Sequence, residues 1–571
     1  MKIILIPLVV AALAAPGFAQ NVRAPQQLDA GLGLPVGPAV ATDGDLSAVL
    51  WKETGTNNMH VAVSNDNGIS WGAPVRVDDD LTAANKFAGD MGLVISGGNI
   101  YATWSDDRNA LTDADIQFTM SSDGGVTWSA NAALPKGLAS GANDVKNWNL
   151  LADGNTVVVA QAVENDLGGF NEELFFTVSL DAGATWGAAV AASLHPNGAV
   201  DVDAMWATMG SGTVHLAWQD NSTSASNEAF YSSYDIATSA FNSQDVLVSA
   251  GMVGGHVEFD FGIATNGSTV AICMQADNLP TASMDLLHVN VSTDNGVTWN
   301  GDVLVGGYVA GTDDTDHPVI LVTDAGNVIV ACEDNRTGAD EIYIHTSVDG
   351  GATWTESASM GGGGFPAIGG NGDYVAVNWT GPVFPEGSMA VASSDGGVTW
   401  GTPFDMAAGQ INDADFAEIA YNDKYGNFVG VWLDDSSVLA VNQLYAAGFR
   451  NQSLFANGPF IAGQPVNFSG SGWGASEAGS LFLVLVSTVG GYGSAFLPGD
   501  GRDIGIGVST TLIRSTSLAT LRGVIAVDGS ASTPTFNMVS RFPVGTTLYA
   551  MALSRSGSFG SLSDAVEFTI Q

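Results

Sequence analysis

Ser121-Ser122-Asp123-Gly124-Gly125-Val126-Thr127-Trp128 decides the fold, because close copies of it recur along most of the 571-residue chain. Five further copies are intact, at 64–71 (SNDNGISW), 179–186 (SLDAGATW), 292–299 (STDNGVTW), 347–354 (SVDGGATW) and 393–400 (SSDGGVTW). Self-similarity on this scale means supersecondary units stacked on one another. The acids Asp66, Asp123, Asp181, Asp294, Asp349 and Asp395 belong to the residue type that bonds back to its own backbone, and the glycines supply the positive φ of a tight turn. Trp71, Trp128, Trp186, Trp299, Trp354 and Trp400 are expected to be mostly buried between neighbouring strands. Each copy therefore reads as a structural hairpin turn.

Outward from this octet, Leu93-Val94-Ile95, Ile100–Trp104 and Ile116–Met120 read as three strands, and the residues after Trp128 as a fourth. Short alternating strands between Gly/Asn/Asp turns predict a four-stranded antiparallel blade. The second strand gives an independent register. It ends in Trp51-Lys52-Glu53, Trp104-Ser105-Asp106, Gln161–Glu164, Trp218-Gln219-Asp220, Met274-Gln275, Cys332-Glu333-Asp334, Trp379 and Trp432-Leu433-Asp434. That makes eight units, with seven or six blades if units merge or stand outside the ring. Ser233–Ala237 occupies the place of a decayed octet. The last unit, Phe416–Tyr445, shows three strands, and Asn21–Leu28 is placed to supply its fourth, which would close the ring and remove its free edges.

The pattern S-x-D-x-G-x-T-W resembles the Asp-box of the bacterial neuraminidase (BNR) repeat, found in sialidases, some glucanases and many non-catalytic secreted β-propellers. The resemblance covers residues 20–449. It implies an all-β fold, an Asp-box β-propeller, with the boxes on turns away from the catalytic face, and it implies no particular activity. From 450 to 458 the pattern breaks into a linker. Residues 459–571 then carry strand-like runs such as Leu481–Val486, Gly523–Val527 and Thr547–Leu553, separated by Gly/Ser turns. These predict a small C-terminal β-sandwich, which is similar to modules of secreted planctomycete-type proteins.

Met1-Lys2 precedes an apolar run to Ala15 and small residues at Gly17 and Ala19. Residues 1–19 are thus expected to be a secretory signal peptide, and the protein to be secreted or held at the cell surface. With 16 Lys+Arg against 59 Asp+Glu, the net charge is −43. Such a field repels nucleic acid and anionic lipid and attracts cations. No stretch after the leader is apolar enough to span a bilayer, so membrane insertion is not expected. Cys273 and Cys332 are expected to be buried free thiols, since equivalent strands of adjacent blades lie too far apart for a disulfide.

Function is expected on the face opposite the octets, where loops enter the innermost strand and leave the second. Asp260, Asp313, Asp314, Asp316 and Asp415 precede innermost strands, and Asp106, Asp107, Asp220, Glu333, Asp334 and Asp434 leave second strands. These acids read either as a solvated rim or as a binding surface. Arg108 and Arg336 interrupt the rim at matching places. They read either as internal ion pairs, with Asp113 or Asp115 and with Asp340 or Glu341, or as anion ligands. Asp106, Asp107, Arg108, Asp220, Glu333, Asp334 and Arg336 are the candidate binding residues. Asp313, Asp314, Asp316 and Asp334 are the candidate ligands for Ca²⁺ or another hard cation. The histidines, His256 and His317 among them, show no metal-ligand spacing.

The resemblance would give a sialidase three converging arginines, a Tyr/Glu nucleophile pair and an Asp acid/base. The propeller region offers Arg23, Arg76, Arg108, Arg336 and Arg450. Only Arg23, in Val22-Arg23-Ala24-Pro25, fits the family's X-R-X-P motif, and it falls in the segment already assigned to ring closure. No catalytic residue is nominated. The leading expectation is a non-catalytic propeller that binds a glycan or a protein at the cell surface. The alternative is a glycoside hydrolase of sialidase-like fold, for which two carboxylates at a set separation suffice.

Overall fold

The computed structural model describes residues 22–571 except for 81–85, 109–113, 139–144, 165–171, 195–201, 203, 221–226, 251–256, 278–284, 309–312, 383–385, 409–413, 435–441, 459, 462–463, 491–496, 498–501, 503–505, 507–518, 538–541 and 557. The leader expected at 1–19, together with Asp113 and His256, lies outside the described residues. No described helix is long and apolar enough to cross a membrane.

Among the described residues, eight four-stranded antiparallel sheets form a β-propeller. Blades 1 to 8 begin with the innermost strands Pro35–Asp43, Lys86–Ser96, Val145–Asp153, Ala204–Gly210, Val257–Thr265, Thr315–Val322, Gly364–Asn371 and Ala414–Asn422. Each innermost strand packs on that of the next blade, and that of blade 8 packs on that of blade 1. The ring is therefore closed. Second strands such as Val328–Asp334 and Asn427–Asp434 are buried along their whole length. Blades cover both of their faces, which is why they read as unbroken apolar runs.

Closure uses both ends of the propeller. Gln26 and Gln27 pair with Ala446 and Tyr445 of the strand Gln443–Arg450, giving blade 8 its fourth strand. Backbone bonds from Arg23 to Gly448 and from Leu28 to Leu444 extend the pairing on both sides.

In the octet 121–128 the Ser121 hydroxyl donates to Asp123 at 2.9 Å and accepts from the Gly125 amide at 2.9 Å. The Thr127 amide and hydroxyl donate to the same carboxylate at 2.9 and 2.6 Å. The other five copies repeat this set. Bonds from Thr127 hold the Asp123 carboxyl low, at about 2. Gly125 has φ 84°, and a Cβ there would lie 2.5 Å from Val63 of blade 1, so the turn is pressed against the preceding blade. Blade 4 lacks the set. There Asp235 caps a tight turn through Thr238, and the outer strand Ala240–Leu247 has eight residues where other blades have two.

The octet tryptophans are mostly buried, as expected, but none is sealed. All six keep part of their surface exposed, and two of them meet the previous blade edge-on, Trp186 on Phe118 at 5.0 Å and Trp299 on Tyr231 at 4.8 Å. The sealed indoles belong to the second strands: Trp51, Trp104, Trp218, Trp379 and Trp432 are all 0% exposed. A hairpin tip has a neighbour on one side, whereas a second strand has one on each.

Two sheets form the C-terminal β-sandwich, one built on Ser453–Asn457 and Pro465–Ser471 and the other on Leu481–Ser487 and Thr547–Ser556. Leu454, Phe468, Phe482, Val484 and Ala552 share its core. The stretch 450–458, expected as a linker, thus holds the sandwich's first strand. Its Gly/Asn punctuation hides the alternation that buries Leu454. The sandwich docks on the octet face. Tyr374 donates to Glu477 at 2.6 Å, the Ser476 amide donates to Asp373 at 2.9 Å, and the Ala475 amide donates to the Ser394 carbonyl of an octet at 3.3 Å.

Arg23 and Arg450 converge on Asp564 of the sandwich at 3.1 and 3.4 Å, with Arg450 only 2% exposed. Burial raises the Asp564 pKa, but the two guanidinium groups outweigh it and hold it below the ordinary value. Removing one partner of a buried pair leaves an uncompensated charge. Asp564→Ala is therefore expected to lower stability by about 3–5 kcal/mol in urea unfolding; a loss below about 1 kcal/mol would show the junction to be solvated. Trp104→Ala should cost about 3–5 kcal/mol and Trp128→Ala clearly less, and equal losses would refute the assignment of the core to the second strands.

Candidate functional site

On the face away from the sandwich, four innermost strands carry a bulge at one shared position. The register slips between Val36 and Ala39 in blade 1, Asp316 and Val319 in blade 6, Gly364 and Ala367 in blade 7, and Asp415 and Glu418 in blade 8. The first bulged residue is Gly37, His317, Phe365 or Phe416, each at positive φ, 57°, 49°, 54° and 51°. A bulky side chain at positive φ is strained, by about 1–3 kcal/mol, and such strain concentrates at functional sites. Three consecutive blades thus aim a ring outward at the channel mouth. Phe365 is 59% and Phe416 62% exposed, and the His317 and Phe365 rings lie 4.4 Å apart.

Carboxylates hold this arc. Glu333 Oε1 lies 2.7 Å from His317 Nδ1 and also accepts the Phe365 amide, while Asp260 stands 3.7 Å from His317 Nε2. The bond to Glu333 raises the His317 pKa above its ordinary value, with further support from the charges of Asp260 and Asp316. In blade 8, two residues after Phe416 on the same innermost strand, Glu418 is also exposed.

The acids expected to hold a cation are divided. Asp314 and Asp316 meet Asp285, their oxygens within 4.8 Å of one another. Gln275 bridges two members, donating to Asp285 at 3.0 Å and to Asp316 at 2.8 Å, and Asp314 accepts the Asp285 amide at 2.8 Å. Burial and then the Asp314 charge raise the Asp316 pKa. Asp334 is not part of this group, because Arg336 takes it, and Asp313 is buried. Asp285, at the start of a third strand, gives no signal in the sequence that it would join acids 29 residues on.

Most of the candidate binding residues are buried. Asp106, Asp220 and Asp334 are at most 1% exposed, and Asp107 and Glu333 are also buried. In the Trp-x-Asp endings the indole and the acid lie on one side of the strand, so Trp104 donates to Asp106 at 3.2 Å and Trp218 to Asp220 at 3.1 Å. Arg108 and Arg336 do form internal ion pairs, and among the described residues their partners are acids other than Asp115, Asp340 and Glu341. Each turns back two residues, Arg108 to Asp106 at 2.6 Å and Arg336 to Asp334. Each also reaches a second acid, Asp79 at 2.6 Å and Glu356 at 3.0 Å. Of the seven candidates, Glu333 alone touches the aromatic arc. Cys273 and Cys332 are free and buried as expected, and burial pushes Cys273 up to about 12.

No protein-family model and no curated protein sequence matches the chain. Among solved structures it is similar to a Trypanosoma rangeli sialidase in complex with the inhibitor DANA, with 10% identity and TM-score 0.34 over 96% of this chain and 94% of that one. It is also similar to a Penicillium chrysogenum α-L-arabinanase complexed with arabinobiose, with 14% identity and TM-score 0.32 over 58% and 96%. A polysaccharide lyase gives 9% identity and TM-score 0.43 over 74% and 90%. Likenesses of this order leave the chemistry to the chain's own residues.

Sequence reasoning passed over His317, Phe365, Phe416 and Glu418. One signal was present: Gly37-Pro38, His317-Pro318 and Phe365-Pro366 stand at the same register of their units, and proline inside a strand marks an edge or a bulge. In an NMR titration His317 is expected to protonate above the ordinary imidazole value, and Glu333→Gln to lower its midpoint. Because the folded pKa exceeds the unfolded one, the stabilisation is full below about pH 6.5 and is lost as pH rises through the folded value. A midpoint below the ordinary value would overturn the His317–Glu333 pairing.

Proposed function

We propose that this is an exported, non-catalytic propeller that binds a glycan at the channel mouth opposite the sandwich. The supporting observation is the arc of the half-buried His317 and the exposed Phe365 and Phe416, set on strained bulges of three consecutive blades beside Asp260 and Glu333. Aromatic faces match the apolar C–H faces of sugar rings, and carboxylates accept sugar hydroxyls. A platform of this kind gives affinity without a reacting group.

Sialidase chemistry is disfavoured by the arginines themselves. Arg23 and Arg450 meet Asp564, Arg76 grips Asp78 at 2.7 Å, Arg108 grips Asp106 and Arg336 grips Asp334. Two share Asp564 at the sandwich seam and the other three sit in separate ion pairs, whereas a sialidase site needs three arginines free to converge on a substrate carboxylate. One observation favours the hydrolytic alternative: a further carboxyl, Glu418, is exposed two residues after Phe416 on the same strand, and glycoside cleavage needs a pair of carboxyl groups.

Glycan-array binding by the full chain should be retained in Trp128→Ala and lost in the Phe365→Ala/Phe416→Ala double variant. Fluorogenic sialosides should remain uncleaved. Turnover of any glycoside that disappears in Glu418→Gln would replace the binding reading with the hydrolytic one.

A further inference from the structure

Charge decides which glycan the mouth can accept. Asp260, Asp316 and Glu333 surround His317, and the arginine of the same blade, Arg336, is neutralised there by Asp334 and Glu356. The whole chain carries −43. An anionic polymer is repelled by this field, and a neutral one gains nothing from it. Burial and the neighbouring Asp314 charge already make ionisation of Asp316 unfavourable, a strain that a bound cation relieves. The exposed faces of Phe365 and Phe416 offer a second attraction for a cation, through their ring quadrupoles.

We propose that the ligand of this mouth is a polysaccharide bearing protonated amines, a glucosamine-type polymer, whose ammonium groups meet the more open carboxylate of Asp260 while its rings lie on Phe365 and Phe416. The proposal rests on the glycan-binding reading above and narrows it. A repeating ligand fits better than a single lysine side chain, because the aromatic positions themselves repeat from blade to blade along the arc. Each sugar unit brings both an apolar face and a charge, so one unit satisfies a ring and a carboxylate together.

The test is calorimetry on the full chain with three probes: a glucosamine oligomer, its fully N-acetylated counterpart of equal length, and an oligolysine peptide. The glucosamine oligomer should bind at least about tenfold more tightly than the acetylated one, with affinity falling as salt rises. Asp260→Asn, which keeps the shape and an acceptor oxygen, should erase most of that preference while moving the melting temperature little. Equal affinity for the two oligomers would overturn the proposal and leave glycan binding standing. Binding of neither would overturn both. Oligolysine binding as tightly as glucosamine, or amine binding that survives Phe365→Ala/Phe416→Ala, would reduce the effect to a protein-type partner or to diffuse attraction, and either result rejects the proposal.

Discussion

Everything in this molecule depends on closing a ring of sheets. A four-stranded sheet alone has two apolar faces and two open edges, and it becomes stable only when a neighbour covers each face. Eight blades solve this only if the eighth meets the first, which the packing of Ala414–Asn422 on Pro35–Asp43 accomplishes. The final strand is borrowed from the N-terminal segment at Gln26 and Gln27. Closure therefore couples residues more than 400 positions apart, and the C-terminal sandwich reinforces the seam by placing Asp564 against Arg23 and Arg450.

The two faces of the ring have divided the work. On one, the octets turn hairpins through bonds entirely local to the turn and press glycine against the blade before. That face is repetitive, and at blade 7 it receives the sandwich through Tyr374, Asp373 and Ser394. On the other, irregular bulges interrupt the innermost strands. Bulges of this kind re-aim side chains, and here they turn rings outward that a regular strand would tuck between blades.

Acidity is likewise divided. The octet carboxylates bond their own turns. The acids that end the second strands are buried against indoles and arginines, as at Asp106 and Asp220. A negative net charge thus says little about where a ligand is held. Asp260, Asp316 and Glu333 differ from the rest because they converge on a residue, His317, that is itself displaced by a bulge.

The sequence alone determined what rests on short-range chemistry. Six copies of one octet specify turns whose bonds span four residues, and the second-strand register counts eight blades because both-face burial writes a continuous apolar run. Closure by the N-terminal segment was legible because one unit lacked a strand and one segment had no unit. Tertiary structure decided the rest. The extent of the sandwich depended on Leu454 finding a core, and the partners of Arg108 and Arg336 on which acids the blade brings near a planar guanidinium. Asp285 and Asp314 meet only because adjacent blades are juxtaposed, and His317, Phe365 and Phe416 are turned outward only because a ladder slips by one residue. A side chain's direction at a bulge depends on the register between two strands, and register is a property of the pair that neither strand carries by itself.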